Sequence, residues 1–157
     1  MYNKILLAID GSDDALRAAK RAIEIKKKFN SEITMFHSVE HHMLPSVLKL
    51  TVPLQGMYTY EIPPVDYEQI RDEYKKQGEA VLKKAETLFK EENLDVEARL
   101  VEEIKPAKYI KNHVEKEDFD LVILGCKGKH SKVKQLVLGT VATKVLNEAP
   151  CDVLVIR

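Results

Sequence analysis

Glycines and lysines are concentrated in one stretch of the 157-residue chain, and together they could bind an anion. The stretch opens with Gly125-Cys126-Lys127-Gly128 and, after ten further residues, reaches Gly139-Thr140. Glycines let a backbone approach a phosphate closely, and the exposed amides can then donate hydrogen bonds to it. No acidic residue lies between Gly125 and Glu148, whereas basic residues are frequent there: Lys127, Lys129, His130, Lys132 and Lys134. The pattern predicts a phosphate site, and it leaves open a plain turn with solvated lysines.

Acidic side chains follow the first apolar run of the chain, in the order Asp10-Gly11-Ser12-Asp13-Asp14. The dinucleotide loop G-x-G-x-x-G does not stand at this place, and the phosphate loop G-x-x-x-x-G-K-[ST] is absent from the chain. Carboxylates suit a ribose hydroxyl or a hydrated Mg²⁺ better than a phosphate. The alternative for Asp10 is a cap or turn residue at the start of a helix.

Other reactive residue types show no arrangement that predicts catalysis. His37, His41 and His42 lie close in sequence, but no cysteine or carboxylate completes a ligand spacing, so we predict no metal site. Cys126 could be a redox-active thiol beside lysines, although a small residue tolerated in the loop is the favoured interpretation. His130-Ser131 lacks a third, orienting group for a nucleophilic triad. We therefore predict no catalytic residues.

Five apolar runs alternate with helical patterns, and these elements must position the glycines. Continuous apolar runs are typical of strands buried on both faces, while the alternating run at 95–101 predicts a strand near a sheet edge. The predicted strands span 4–9, 32–39, 95–101, 119–124 and 151–156; the predicted helices run from the Ser12 cap to about Phe29, over about 66–92, from Pro106 through Val114, and over about 133–147. This order predicts an α/β fold, an open doubly wound sheet of five mostly parallel strands with helices on both faces.

The longest predicted helix, 66–92, has an apolar face with helical spacing. That face comprises Ile70, Tyr74, Val81, Leu82, Ala85, Leu88 and Phe89. The segment before it, about 41–65, breaks the alternation of strands and helices. From His41 to Pro64 it has four prolines and only two charged residues, Lys49 and Glu61. Such a long connection is typically functional or mobile, so it could be an extended segment packed on the domain, a lid, or a protein contact.

Length and composition limit the class of protein. At about 100–200 residues per domain, the chain predicts one domain over 1–157. With 25 Lys+Arg against 25 Asp+Glu, it has no global field to draw it onto nucleic acid or a membrane surface, so we predict neither partner. No apolar stretch is long enough to span a bilayer or to act as a signal peptide. Two cysteines do not make a disulfide framework, which favours the cytoplasm.

Taken together, these motifs resemble the universal stress protein family. Its nucleotide-binding members carry G-x-x-G, a nine-residue spacer and G-[ST], an aspartate closing the first strand, an apolar–His–Val end to the second strand, and a last strand after a proline. Here the matching residues are Gly125 to Gly128 with Gly139-Thr140, Asp10, Phe36-His37-Ser38-Val39, and Pro150 to Ile156. The spacer is one residue longer here. An extra residue within 129–132 would preserve the Gly139-Thr140 contact, whereas a shift of helix register by about 100° would turn Thr140 away.

The resemblance implies a site for ATP, with Mg²⁺ as its counter-ion. Adenine would meet the backbone near Ser38 and Val39 and pack on Ala8 and Ile9. Ribose would face Asp10 and Gly125, with Leu124 also in the site. The phosphates would lie against the glycines and the last helix, with Lys127 above them: Gly128, Gly139, Thr140, Val141 and Ala142.

The resemblance also implies the function. The expected protein is an adenine-nucleotide-binding regulatory module of a cytoplasmic stress response, at most a slow ATPase. It is expected to form a homodimer through the strand Cys151 to Ile156, because nothing later in the chain can cover that edge. The alternative is a dimerisation or interaction module of the same fold that binds no nucleotide, which the longer spacer and the apolar insert favour. The sequence does not identify a protein partner.

Overall fold

The computed structural model describes residues 2–40, 49–52, 58–61, 64–128 and 138–157, with side chains left out of the description for 49–52, 58–61 and 64–67. Five parallel strands form one sheet in the spatial order β5-β2-β1-β6-β7. These strands are β1 Lys4–Ala8, β2 Glu32–Val39, β5 Glu97–Glu102, β6 Leu121–Gly125 and β7 Asp152–Ile156; the helices are α1 Asp13–Phe29, α2 Pro64–Glu91, α3 Pro106–Val114 and α4 Thr140–Glu148. The predicted fold class is confirmed.

The central strand β1 is apolar throughout because both of its faces are covered. Its residues Ile5, Leu6 and Leu7 are fully buried and alternate between two hydrophobic clusters. Ile5 and Leu7 pack with α1 and α2 on one face of the sheet, whereas Leu6 packs with α3 and α4 on the other. The helices therefore cover both faces and leave the carboxyl ends of the strands accessible between them.

Local signals explain where α1 begins and ends. The Ser12 hydroxyl accepts a hydrogen bond from the Ala15 amide at 3.1 Å, which caps the first turn. The helix ends at Asn30, which adopts the left-handed conformation (φ 54°) that commonly terminates helices. Lysines 26–28 lie in the last turn, where the helix dipole favours cations.

The last helix, α4, starts seven residues later than the sequence pattern predicted. The helix was expected from about Val133, but it begins at Thr140, and residues 133–137 lie outside the described part of the chain. Gly139 has an extended ψ of 156°, and its amide donates to the Cys126 carbonyl at 2.8 Å instead of joining a helix. Gly139 is thus held outside the helix by a tertiary hydrogen bond, and α4 starts at the next residue.

The insert contains a feature that the sequence did not reveal. Two short strands, β3 Lys49–Val52 and β4 Tyr58–Glu61, pair antiparallel in a separate sheet. The insert also ends earlier than the predicted residue 65, because α2 begins at Pro64. Its remaining residues, 41–48, 53–57 and 62–63, lie outside the description.

The helix α2 is only partly apolar on its buried side. Ile70 and Tyr74, predicted to face the core, are 39% and 46% exposed, so that part of the prediction is wrong. The buried contacts begin at Gly78, where a Cβ atom would lie 2.6 Å from Val39 Cγ2 and 2.7 Å from Leu100 Cδ1. Helical spacing marks one side of a helix, but it does not show how far the helix extends beyond the sheet that covers it.

Both edge strands follow the sequence pattern. The alternating strand β5 lies at one edge, where Arg99 bonds Glu97 at 2.9 Å and Glu117 at 2.8 Å. The hydrogen bond from Arg99 lowers the pKa of the Glu97 carboxyl below its usual value. Strand β7 forms the other edge, one residue shorter than predicted because Cys151 precedes it. Within the described ranges, no helix is long and apolar enough to cross a membrane.

Candidate functional site

The carboxyl ends of β1 and β6 lie side by side, and an open pocket of about 330 Å³ lies beside them. It is lined by the turn that follows β1 and by the start of the loop that follows β6: Gly11, Ser12, Asp13, Asp14, Lys127 and Gly128. Open parallel sheets bind ligands at this end of the strands. The structure thus brings together the acidic turn and the first half of the glycine stretch.

The acidic turn is ordered by Asp10. Its Oδ1 atom accepts from the Ser12 amide at 3.0 Å and from the Ser12 hydroxyl at 2.6 Å. Its Oδ2 atom lies 2.9 Å from the place that a Cβ atom of Gly128 would occupy. Asp10 therefore serves as a turn residue, as one interpretation held, and also faces the second glycine of the G-x-x-G motif.

Because glycines have no side chain, three parts of the site can lie in direct contact. A Cβ atom on Gly125 would lie 2.8 Å from the Ala15 nitrogen, so the first turn of α1 packs directly on the end of β6. A Cβ atom on Gly139 would lie 2.9 Å from the Cys126 carbonyl oxygen and 3.7 Å from the Gly128 nitrogen. The start of α4 is therefore adjacent to the G-x-x-G backbone, despite the longer spacer.

The first turn of α4 has the properties of an anion site. Its N-cap is Gly139, which has no side chain to cap the turn, and no acidic residue occurs in that turn. The first intrahelical amide bond runs from Thr143 to the Gly139 carbonyl, which leaves the amides of Thr140, Val141 and Ala142 at the open end. Thr140 and Val141 are exposed, whereas Ala142 is buried. Amides at a helix N-terminus are suited to binding phosphate.

The end of β2 provides a different surface. Ser38 donates its hydroxyl to the Ile104 carbonyl, and Val39 is 5% exposed, so neither side chain is available to a ligand. The Val39 carbonyl already accepts from the Glu103 amide at 2.9 Å. Ala8 and Ile9 pack into opposite clusters, and Leu124 is buried with Ala8. The side chains of Ala8 and Ile9 therefore lie on opposite faces of the sheet at this edge.

The contacts of two residues near the site, His37 and Asp14, were not predicted from the sequence. His37 Nδ1 lies 2.6 Å from the Ile9 carbonyl oxygen, so the histidine of the F-H-S-V pattern holds the chain just before Asp10. Asp14 accepts a hydrogen bond from the Lys127 amide at 3.0 Å. The acidic run in the sequence indicated a carboxylate at this place. Its hydrogen-bond partner lies 113 residues away, so local spacing could not predict it.

The structure describes only some of the remaining predicted residues. Lys127 lines the pocket, whereas Lys129, His130, Lys132 and Lys134 lie outside the described residues, as do His41 and His42. Cys126 is 2% exposed, and its amide donates to the Ile156 carbonyl at 2.6 Å. This burial agrees with a structural role for the cysteine and leaves little access for a redox partner.

Sequence comparison connects the chain to known proteins. The model of the universal stress protein family matches residues 1–157. The universal stress protein MJ0531 of Methanocaldococcus jannaschii is 32% identical over 157 residues, covering all of this chain and 83% of that protein. The universal stress protein YxiE of Bacillus subtilis is 31% identical over 157 residues, covering both chains completely.

Solved structures share the fold at lower identity. UspA from Lactobacillus plantarum has a TM-score of 0.76 at 21% identity, covering 99% of this chain and 98% of that one. A family member from Arabidopsis thaliana, solved with AMP bound, has a TM-score of 0.63 at 18% identity, covering 98% and 90%. One from Archaeoglobus fulgidus, in complex with dAMP, has a TM-score of 0.60 at 20% identity, covering 99% and 98%.

Proposed function

The chain belongs to the universal stress protein family, and from this premise we propose that it binds an adenine nucleotide at the carboxyl ends of β1 and β6. Relatives of the same fold have been solved with AMP and with dAMP bound, which makes the adenine nucleotides the natural ligand class. ATP is the proposed ligand within that class, because the basic stretch after β6 favours a polyphosphate.

The observation that carries this proposal is the uncapped first turn of α4 beside Gly128. The amides of Thr140, Val141 and Ala142 would donate to the phosphates, and Lys127 would add a positive charge. Ribose would lie towards Asp10 and Gly125, and adenine would meet the backbone of Ser38 and Val39. Mg²⁺ accompanying ATP would be held chiefly by phosphate oxygens, with carboxylates of the pocket as further ligands.

Fast catalysis is not part of the proposal. The two carboxylates nearest the glycine loop already have structural partners: Asp10 accepts from Ser12, and Asp14 accepts from the Lys127 amide and pairs with Arg17. Efficient phosphoryl transfer requires a positioned base and bound metal ions. We therefore propose a regulatory nucleotide-binding module of a cytoplasmic stress response that hydrolyses ATP slowly at most.

A second element of the proposal is a homodimer formed through β7. This strand has β6 on one side only, and its residues from Val153 to Ile156 are all half-buried within the single chain. An apolar edge strand presents free amides and carbonyls that another strand can pair with. Two-fold pairing of β7 with its own copy would satisfy both edges at once. This element would persist if the chain bound no nucleotide.

Isothermal titration of the full chain with ATP tests the nucleotide site. We expect a Kd in the micromolar range, about −8 kcal/mol. Gly128→Val should weaken binding at least about tenfold, because its side chain would fill the space facing Asp10 and hold phosphates off the backbone. Among the described residues the nearest obstacle is the Asp10 Oδ2 atom, the end of a side chain, so the fold should persist.

Ala80→Val is the matched control, since it adds a similar volume at an exposed position of α2. It should leave ATP affinity unchanged. Circular dichroism of both variants should match the wild type. Failure of the wild type to bind ATP, or equal ATP affinity in Gly128→Val, would refute the proposed site.

A further inference from the structure

We propose that Asp14 is a positioning residue for the phosphate-binding backbone, a role that rests on the proposed nucleotide site. Asp14 lies in the first turn of α1, far in sequence from the glycine loop after β6. Its Oδ2 atom accepts the Lys127 amide at 3.0 Å. Its other oxygen, Oδ1, pairs with the Arg17 guanidinium. The carboxylate is only 14% exposed, so solvent competes weakly for the bond to the loop.

The fold enforces this contact. Because Gly125 has no side chain, the end of β6 can approach α1 until a Cβ atom there would lie 2.9 Å from two Asp14 atoms. The Asp14 carboxylate is thereby brought level with the second residue after Gly125. If α1 and β6 lay further apart, the Asp14 carboxylate could not reach the Lys127 amide.

Two consecutive residues of the loop, Cys126 and Lys127, are consequently held by three different elements. The Cys126 amide donates to Ile156 of β7, and the Cys126 carbonyl accepts from Gly139 at the start of α4. The Lys127 amide is held by Asp14, and Gly128 faces Asp10. Of these contacts, only the one from Asp14 comes from a side chain of α1. A substitution at Asp14 can therefore remove the contact and leave the backbone of the helix in place.

The negative charge of Asp14 allows the positioning role to be tested by whether ATP affinity rises or falls when Asp14 is removed. In titrations of ATP without Mg²⁺, a carboxylate near bound phosphates repels them, so an effect through charge alone predicts that removing Asp14 strengthens ATP binding. A positioning role predicts that removing it weakens ATP binding, because the Lys127–Gly128 backbone loses its anchor. The two effects therefore act in opposite directions.

Three variants of the full chain separate them. Asp14→Ala removes both the charge and the acceptor, whereas Asp14→Asn removes the charge and keeps an acceptor oxygen for the Lys127 amide. Asp13→Ala is the charge control, because Asp13 belongs to the same first turn and lines the same pocket. By titration, we expect ATP affinity about tenfold lower in Asp14→Ala than in Asp13→Ala, and Asp14→Asn within about threefold of Asp13→Ala.

A second measurement does not depend on ATP. Amide hydrogen exchange of Lys127, followed by NMR, should accelerate at least about tenfold in Asp14→Ala and stay near wild type in Asp14→Asn and Asp13→Ala. Unchanged exchange in Asp14→Ala would overturn the positioning role. So would an ATP affinity in Asp14→Ala that rises as much as in Asp13→Ala. If the wild type bound no ATP, the proposed function would fail, while the exchange rates would still decide whether Asp14 positions the loop.

Discussion

Two glycines of the G-x-x-G motif differ in what their missing side chains make room for. At Gly125 a Cβ atom would collide with backbone, at 2.8 Å from the Ala15 nitrogen and 2.9 Å from the Asp14 carbonyl carbon. At Gly128, among the residues that the structure describes, the one close atom is the Asp10 Oδ2, at 2.9 Å. The first glycine is therefore needed to pack β6 against α1, and the second is available for a ligand.

This difference predicts opposite outcomes for the same substitution. Gly125→Ala should lower the free energy of unfolding by about 1–3 kcal/mol, because backbone must move to relieve the collision. Gly128→Ala should lower it by less than about 1 kcal/mol, since a side-chain end can rotate away. Urea denaturation followed by circular dichroism measures both. Equal losses of stability in the two variants would contradict this division of roles.

At the scale of elements, two helix N-termini meet the loop after β6 with opposite chemistry. The start of α1 is capped by Ser12 and carries Asp13 and Asp14 in its first turn. The start of α4 has a glycine cap and no acidic residue in its first turn. Helix dipoles make both ends electropositive, but at α1 the Ser12 hydroxyl occupies the Ala15 amide and two carboxylates would repel an anion. This contrast is the reason that the proposed phosphate site lies at α4 and not at α1.

The lysines between Gly125 and Gly139 should affect ATP binding through their charge. Replacing Lys127, Lys129, Lys132 and Lys134 together with Glu should weaken ATP binding at least about tenfold and adenosine binding less than about twofold, because adenosine carries no phosphate. Raising the salt concentration should likewise weaken ATP preferentially, since exposed charges are screened over about 8–10 Å. Titration with both ligands makes the comparison.

The matched control changes four exposed lysines elsewhere to Glu, at Lys28, Lys83, Lys84 and Lys116. It alters the net charge equally but should cost much less ATP affinity. Equal losses for ATP and adenosine in the loop variant would show that the lysines are a solvated face.

At the scale of the whole molecule, the proposed dimer depends on the edge strand β7. The Cys126 amide donates to the Ile156 carbonyl, so the backbone of Ile156 faces β6. Because backbone groups alternate along a strand, Leu154 also faces β6, whereas Val153 and Val155 direct their amides outwards. The outward groups are the ones that a second copy would pair with.

We expect the wild type to sediment as a dimer and Val155→Pro to sediment as a folded monomer, since proline removes an outward-facing amide. Leu154→Pro is the contrast, because it removes an amide that β6 uses and should destabilise the fold. Sedimentation velocity at micromolar concentration, with circular dichroism of each variant, measures both effects. A wild-type protein of about 18 kDa under these conditions would refute the dimer.

Much of the architecture was predictable because it depends on local patterns. Strands with continuous apolar runs, such as β1, are buried on both faces, and β2 was predicted to the residue. Helix α3 begins at Pro106, as a proline suited to the first turn indicates. The predictions failed where the outcome depends on distant contacts: the exposed Ile70 and Tyr74 on α2, and the late start of α4 at Thr140.

The sequence by itself determined the element order, the fold class and the residue types available for an anion site, because periodicity and glycine placement act over a few residues. Only the tertiary structure decided which of those residues meet. It placed Gly128 against Asp10, the Lys127 amide on Asp14, and Gly139 against the Cys126 carbonyl. These contacts join segments separated by 13 to more than 100 positions, and no local preference encodes such pairings. They arise because parallel strands bring their carboxyl ends to one edge of the sheet.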